Sequence, residues 1–212
     1  MLTNNTYKLV ELLLLFVAIP IILAFPFYLL VKVLIVLLAI IYCLWIAKKF
    51  YLFTKKELYK INHHQYWKMI GLYFLLITIS TSIFVWKTMP ENLFIVLKKA
   101  PLFWLGLILF YSIFSVYPQE ILYRLFFFKR YQSITSNTTL FIIMNILVFP
   151  LAHLFFHNWF VLFITLIGGI LFSISFYKSK SLMVTFIEHA LYGSWLFTIG
   201  MGEMLGFPMP SF

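Results

Sequence analysis

Aspartate is absent from this 212-residue chain, and cysteine occurs once, at Cys43. Without aspartate, no paired-aspartyl site can be built. With one cysteine, neither an intrachain disulfide nor a cysteine-based metal cluster is available, and Cys43, inside an apolar run, reads as a packing residue. Acidic charge is scarce as well: six glutamates stand against sixteen lysines and arginines, for a net charge of +10. That excess does not point to a nucleic-acid partner. The basic residues cluster between hydrophobic segments, the distribution that membrane topology produces. What the chain has in quantity is apolar: 64% of residues are hydrophobic and 21% aromatic, far beyond the composition of a soluble domain.

The expected fold class is all-α, a polytopic transmembrane helical bundle of about 7–8 spans. Apolar segments fall near residues 9–25, 28–47, 66–86, 101–129, 138–156, 158–177 and 181–202. A hydrocarbon core of about 30 Å needs about 20 helical residues. Only Pro26 separates the first two. The fourth is too long for one straight crossing, so it is either one helix kinked at Pro118 or two segments that add an eighth span. Lys8 precedes an apolar run interrupted by Glu11, with no small-residue cleavage site, so the first segment reads as a retained span. The loop at 48–68 carries Lys48, Lys49, Lys55, Lys56, Lys60 and Lys68 against Glu57, and should be cytoplasmic. Seven spans place Lys129, Arg130, Lys178 and Lys180 on that same side, with the N-terminus cytoplasmic and the C-terminus outside. Lys98 and Lys99 fall on the opposite side.

Within these apolar segments a few polar groups stand out. Glu120 and Arg124 sit in Tyr117-Pro118-Gln119-Glu120-Ile121-Leu122-Tyr123-Arg124. A carboxylate at membrane depth costs on the order of 3 kcal/mol on insertion scales, and is tolerated when paired, interior or facing a wet cavity. The i, i+4 spacing puts Arg124 one turn away on the same helix face. Glu11, near a terminus, is expected to reach the headgroups. His63 and His64 belong to the basic loop and read as a solvated face. His153 and His157 stand at i, i+4, a spacing that permits metal binding and is weak alone. Phe156-His157-Asn158-Trp159 also looks like an interfacial turn. His189 follows Glu188, which points about 100° away around the helix and supports a neighbour or the interface instead. Gly168-Gly169 and Gly200/Gly202 read as close-packing positions, and Phe126-Phe127-Phe128 as a lipid-facing or packing run.

A glutamate and two histidines on three separate spans suit the activation of water in a membrane cavity, one group taking a proton and another supporting the developing oxyanion. Neither a His-Glu-x-x-His zinc signature nor a Gly-x-Ser-x-Gly motif is present. Among intramembrane protease chemistries, a glutamate–histidine type remains. Five histidines are too few for the histidine boxes of a di-iron membrane desaturase or hydroxylase. A transporter would show paired broken helices in two repeats, which the sequence lacks.

Three segments resemble a known family. Pro118-Gln119-Glu120-Ile121-Leu122-Tyr123-Arg124 is similar to the Glu-Glu-x-x-x-Arg motif of the CPBP family, the CAAX proteases and bacteriocin-processing enzymes also called Abi. Phe149-Pro150-Leu151-Ala152-His153 matches its Phe-x-x-x-His motif, and His189-Ala190-Leu191-Tyr192-Gly193 resembles its His-x-x-x-Asn motif. The resemblance implies that 101–202 is a CPBP-like catalytic core, after N-terminal helices and the basic loop in 1–100 and before a short tail at 203–212. In the family, the first glutamate and the histidine of the second motif activate water, the last histidine and the asparagine stabilise the oxyanion, and the arginine supports the glutamates. Carried over by position, His153, His189 and Arg124 are kept, Glu120 is the second glutamate, Gln119 replaces the first and Gly193 replaces the asparagine. An amide such as Gln119 takes up no proton near neutral pH, so the base falls to Glu120. The Gln-Glu and His-Ala-Leu-Tyr-Gly pattern resembles a bacterial branch of the family, which implies the bacterial cytoplasmic (inner) membrane.

The expected function is therefore an intramembrane endopeptidase acting on membrane-associated or lipidated proteins and peptides. The alternative is a catalytically altered scaffold or chaperone on the same fold. The expected partners are the lipid bilayer and a membrane protein or peptide substrate. The sequence requires no cofactor; a divalent metal is compatible with the histidines, but nothing calls for one.

Overall fold

In a computed structural model, residues 2–53, 58 and 64–205 are described, and they form helices and turns with no strand among them. Seven helices are long and apolar enough to cross a membrane: α1 (Asn5–Ala24), α2 (Leu29–Lys49), α3 (Tyr66–Thr88), α5 (Pro101–Tyr131), α6 (Thr138–Phe156), α7 (Trp159–Ser179) and α8 (Leu182–Ile199). A short α4 (Ile95–Lys99) precedes α5. The count among the described residues is thus seven. Part of the basic loop, with Lys55, Lys56, Glu57, Lys60 and His63, lies outside the described residues, as do residues 206–212 of the tail.

Asparagine starts three of these helices. Asn4 accepts from the Thr6 amide, Asn137 from the Leu140 amide, and Asn158 from the amides of Phe160 and Val161. Each satisfies an N–H that the first turn leaves without a partner.

The long fourth span is one helix. It does not break at Pro118; instead two π-helical stretches, Tyr111–Val116 and Ile121–Phe126, flank the α-turn Tyr117–Glu120. Proline lacks an N–H and its ring crowds the carbonyl four residues back. Widened turns relieve that conflict without ending the helix, and such turns concentrate at functional positions. At about 1.5 Å per residue, its 31 residues exceed a core of about 30 Å, which tilt or protrusion accommodates.

The chain divides into two compact units, Met1–Lys60 with Glu120–Leu182, and Ile61–Gln119 with Met183–Phe212. The chain passes from one to the other between Gln119 and Glu120, inside α5.

The first unit is packed by aromatic rings. Phe16 on α1 meets Tyr123, Phe127 and Tyr131 of α5 edge-on, at centroid distances of 5.2, 5.4 and 5.9 Å. Phe128 packs on Phe141 and Phe176 at 5.3 and 5.0 Å. The Phe126-Phe127-Phe128 run is therefore buried packing and not lipid-facing. Between α6 and α7, a Cβ built on Gly169 would lie 2.9 Å from the Ile146 carbonyl oxygen, so the helices approach more closely than any side chain at 169 allows. Most of α2 is exposed, and Cys43 is one of its few buried residues.

Glu11 does not reach the headgroups. It is 5% exposed and held in the first unit by a bidentate pair with Arg130, Nε to Oε1 at 2.8 Å and Nη2 to Oε2 at 2.9 Å. The hydroxyls of Tyr131 and Tyr42 donate to the same carboxylate at 3.0 and 2.6 Å. A buried guanidinium and two phenols satisfy it in place.

The second unit joins α3, α4, the first part of α5 and α8. Its half-buried indole donors and the buried Tyr192 hydroxyl also find fixed acceptors, as a dry surrounding demands. Trp104 Nε1 donates to Thr198 Oγ1 at 3.0 Å, and Trp195 Nε1 to Thr81 Oγ1 at 2.9 Å. The Tyr192 hydroxyl lies 3.1 Å from both the Ile70 carbonyl and Glu188 Oε1.

Breaking one half of the Glu11–Arg130 pair strands the other charge, which costs about 3–5 kcal/mol. Arg130→Ala and Glu11→Ala should each lower the thermal midpoint of the purified protein strongly, and the double variant should be less damaged than the sum of the two. Additive losses in a double-mutant cycle would show that the pair contributes no coupling.

Candidate active site

Glu120 and Arg124 are both fully buried. The spacing that predicted their pairing is present, but the contact is loose: Arg124 Nε stands 3.8 Å from Glu120 Oε2. That is an ion pair beyond hydrogen-bonding range, because the turn between them is π-helical and not α-helical. The guanidinium is anchored elsewhere. Its Nη1 donates to Asn145 Oδ1 on α6 at 2.7 Å and to the Tyr123 carbonyl at 3.3 Å. Its Cζ lies over the Phe149 ring, 4.7 Å from the centroid, with the Phe172 centroid at 5.9 Å. Asn145 is in turn oriented, donating Nδ2 to the Tyr123 carbonyl at 2.6 Å and accepting from Ser173 Oγ on α7 at 2.8 Å. Arg124 is thus positioned by α6 and α7 as well as by its own helix.

His153 packs on the same Phe149 ring, with centroids 5.2 Å apart. It does not share a helix face with His157. The helical segment ends at Leu151, residues 154–156 form a single 3-10 turn, and His157 takes a left-handed conformation at φ 51°. His157 is exposed at the turn before α7, as expected of a boundary residue. His153 Nδ1 lies 3.1 Å from the Phe149 carbonyl oxygen. A carbonyl only accepts, so in the neutral ring Nδ1 carries the proton and Nε2 keeps its lone pair.

The remaining candidates lie in the second unit. Gln119 donates from Nε2 to Ser115 Oγ, one turn back, at 2.9 Å. His189 is 7% exposed and meets the Tyr111 ring edge-on, with centroids 6.3 Å apart. Gly193 lies one turn beyond His189, and a Cβ built on it would overlap the Tyr111 hydroxyl. Tyr111 packs edge-on against Phe197 at 4.8 Å. Glu188 pairs with Tyr192 on its own helix, in line with a supporting role.

The structure brings Glu120, Arg124 and His153 into the first unit, and Gln119, His189 and Gly193 into the second. Sequence reasoning missed Asn145, Ser173 and Tyr111. Asn145 carried a signal, since an amide within an apolar span needs a partner as a carboxylate does. Tyr111 carried none, because its position against Gly193 is a tertiary contact.

Residues 101–195 match the family model described as type II CAAX prenyl endopeptidase Rce1-like. That stretch contains the motifs at 118–124, 149–153 and 189–193. No curated protein and no solved structure matches the chain.

Replacing Asn145 by Leu removes the acceptor of a buried charged donor, and the unmet group costs about 1–3 kcal/mol or more for a charge. The purified Asn145→Leu protein should unfold at clearly lower temperature than wild type, and Ser173→Ala should lose less. An unchanged midpoint for Asn145→Leu would show that Arg124 is anchored without it.

Proposed function

We propose that this chain, whose residues 101–195 belong to the type II CAAX prenyl endopeptidase Rce1-like family, is an intramembrane endopeptidase in which Glu120 is the general base. The family implies a protease-type hydrolase, and seven apolar spans make the chain an integral membrane protein. Glu120 Oε takes a proton from water, and the water oxygen attacks the scissile carbonyl carbon. His153, oriented by the contact of its Nδ1 with the Phe149 carbonyl, helps to hold that water. His189 donates to the oxyanion that forms. When the C–N bond breaks, the protonated Glu120 returns the proton to the leaving amine. Gln119 accepts and donates hydrogen bonds without taking a proton, so it assists positioning only.

The observation that carries this reading is the independent anchoring of Arg124. A guanidinium held only by Glu120 would lose its partner whenever the carboxylate became protonated. Asn145, the Tyr123 carbonyl and two ring faces hold it instead. Glu120 can then change its charge during turnover while a fixed positive charge stays 3.8 Å away and orients it. The substrate class is a membrane-associated or lipidated protein or peptide, with a prenylated C-terminal tail as the first candidate, given the family's description. The bacterial cytoplasmic membrane is the proposed location. Every proton transfer in the scheme is assigned to a side chain, so no metal or other cofactor is invoked.

The scaffold reading rests on Gln119 and Gly193, which depart from the family's motif. One experiment separates the two. The full chain in lipid nanodiscs is given a farnesylated peptide with a CAAX tail and an unmodified hydrophobic leader peptide. Glu120→Gln, His153→Ala and His189→Ala should accumulate normally and lose turnover, by about 10²–10⁴-fold for the base. Cleavage that persists in all three overturns the site, and variants that fail to accumulate favour the scaffold.

A further inference from the structure

We propose that the Tyr111 hydroxyl is a second oxyanion donor, acting beside His189 from the place that a side chain at 193 would otherwise fill. The inference rests on the endopeptidase reading above and deepens it. It starts from a steric fact. Gly193 has no side chain, and the space where a Cβ would stand is taken by the Tyr111 phenol: its hydroxyl oxygen, Cε1 and Cζ are the nearest atoms to that point. Any side chain at 193 and the present rotamer of Tyr111 exclude each other. The loss of a donor from 193 and the arrival of a phenol over 193 are two sides of one arrangement.

Three further observations give that phenol a chemical reading. His189 is one helical turn before Gly193 on α8, so a hydroxyl over Gly193 stands beside the histidine on one face. The edge-on contact of the Tyr111 and His189 rings places the two side chains together. Tyr111 is 9% exposed, and its ring is fixed edge-on against Phe197 at 4.8 Å, so the hydroxyl is preorganised. A hydroxyl donates one proton, as an amide N–H does, and a fixed donor in a water-poor site is where such stabilisation is largest. Tyr111 also opens the first π-helical stretch of α5, an irregularity that re-aims side chains and occurs often at functional positions. The donor transfers no proton: its O–H bond stays intact while the hydrogen bond to the oxyanion forms and then dissolves as the C–N bond breaks.

The test uses the purified full chain in lipid nanodiscs with the same farnesylated CAAX-tail peptide and unmodified leader peptide. Tyr111→Phe keeps the ring and removes the donor. Its kcat should fall about 10²–10³-fold, the effect of deleting one oxyanion donor, with KM little changed because the interaction is made only in the transition state. Gly193→Asn alone should fail to accumulate or lose turnover, since the asparagine collides with the phenol. Tyr111→Ala combined with Gly193→Asn should recover at least about tenfold over Tyr111→Ala, because an amide then supplies the donor. Wild-type kcat in Tyr111→Phe, with Glu120→Gln inactive, overturns this proposal and leaves the endopeptidase reading standing. A loss of folded protein in Tyr111→Phe equal to its loss of activity assigns the hydroxyl to packing and also overturns it. No turnover of either peptide by wild type overturns the endopeptidase reading and this one with it.

Discussion

A guanidinium buried where water is scarce must be held by fixed groups, and the first unit of this protein is organised around meeting that demand for Arg124. Its hydrogen bonds run to Asn145 and the Tyr123 carbonyl, and its Cζ lies over the rings of Phe149 and Phe172. Those partners come from α5, α6 and α7, so satisfying one charge fixes how three helices pack. Asn145 is pinned in turn by Ser173 and the Tyr123 carbonyl. The close approach at Gly169 belongs to the same arrangement, since α6 and α7 must lie near each other for Ser173 to reach Asn145. Arg130 repeats the principle with Glu11 and the Leu2 carbonyl, and Tyr42 and Tyr131 donate in turn to Glu11. In both clusters the charge is bonded by groups that cannot leave without costing several kcal/mol.

What distinguishes the two clusters is the quality of the carboxylate contact. Glu11 is saturated: a bidentate guanidinium and two hydroxyls use its oxygens, and a carboxylate so bound has little left to offer a substrate. Glu120 stands 3.8 Å from its arginine, close enough to feel the charge and too far for a hydrogen bond. The π-helical stretch between them produces that difference. A regular α-turn at this spacing would let the two groups close into a tight pair, so the same irregularity that accommodates Pro118 within one continuous helix also sets the distance between Glu120 and Arg124. Helix irregularity and buried charge are here linked through the geometry of a single turn.

The spans were legible because hydropathy over about 20 residues is a strong signal, and six of the seven segments begin within about three residues of where the sequence puts them. The continuity of α5 was not legible. Proline at 118 argued equally for a kink or a break, and π-helical turns have no composition signature. Glu120, Arg124, His153 and His189 stood out because polar groups in apolar runs are expensive. Their partners did not. Glu11 and Arg130 are 119 residues apart, and spacing arguments see only a helical turn. The shared face expected of His153 and His157 failed for a local reason: the helix stops at Leu151, so an i, i+4 rule had no helix to act on. Gly193 was visible as a departure from a family motif. That Tyr111 fills the space it opens required the fold.

The central claim is that Glu120 works as a base, and a carboxyl group can take a proton only if it is ionised beforehand. Infrared difference spectroscopy of wild type against Glu120→Gln, in lipid at neutral pH, isolates this one carboxyl among six glutamates. An ionised Glu120 predicts a carboxylate stretch in the difference spectrum, converting to a protonated-carboxyl band on acidification. A protonated-carboxyl band already present at neutral pH would contradict the assignment of Glu120 as the base.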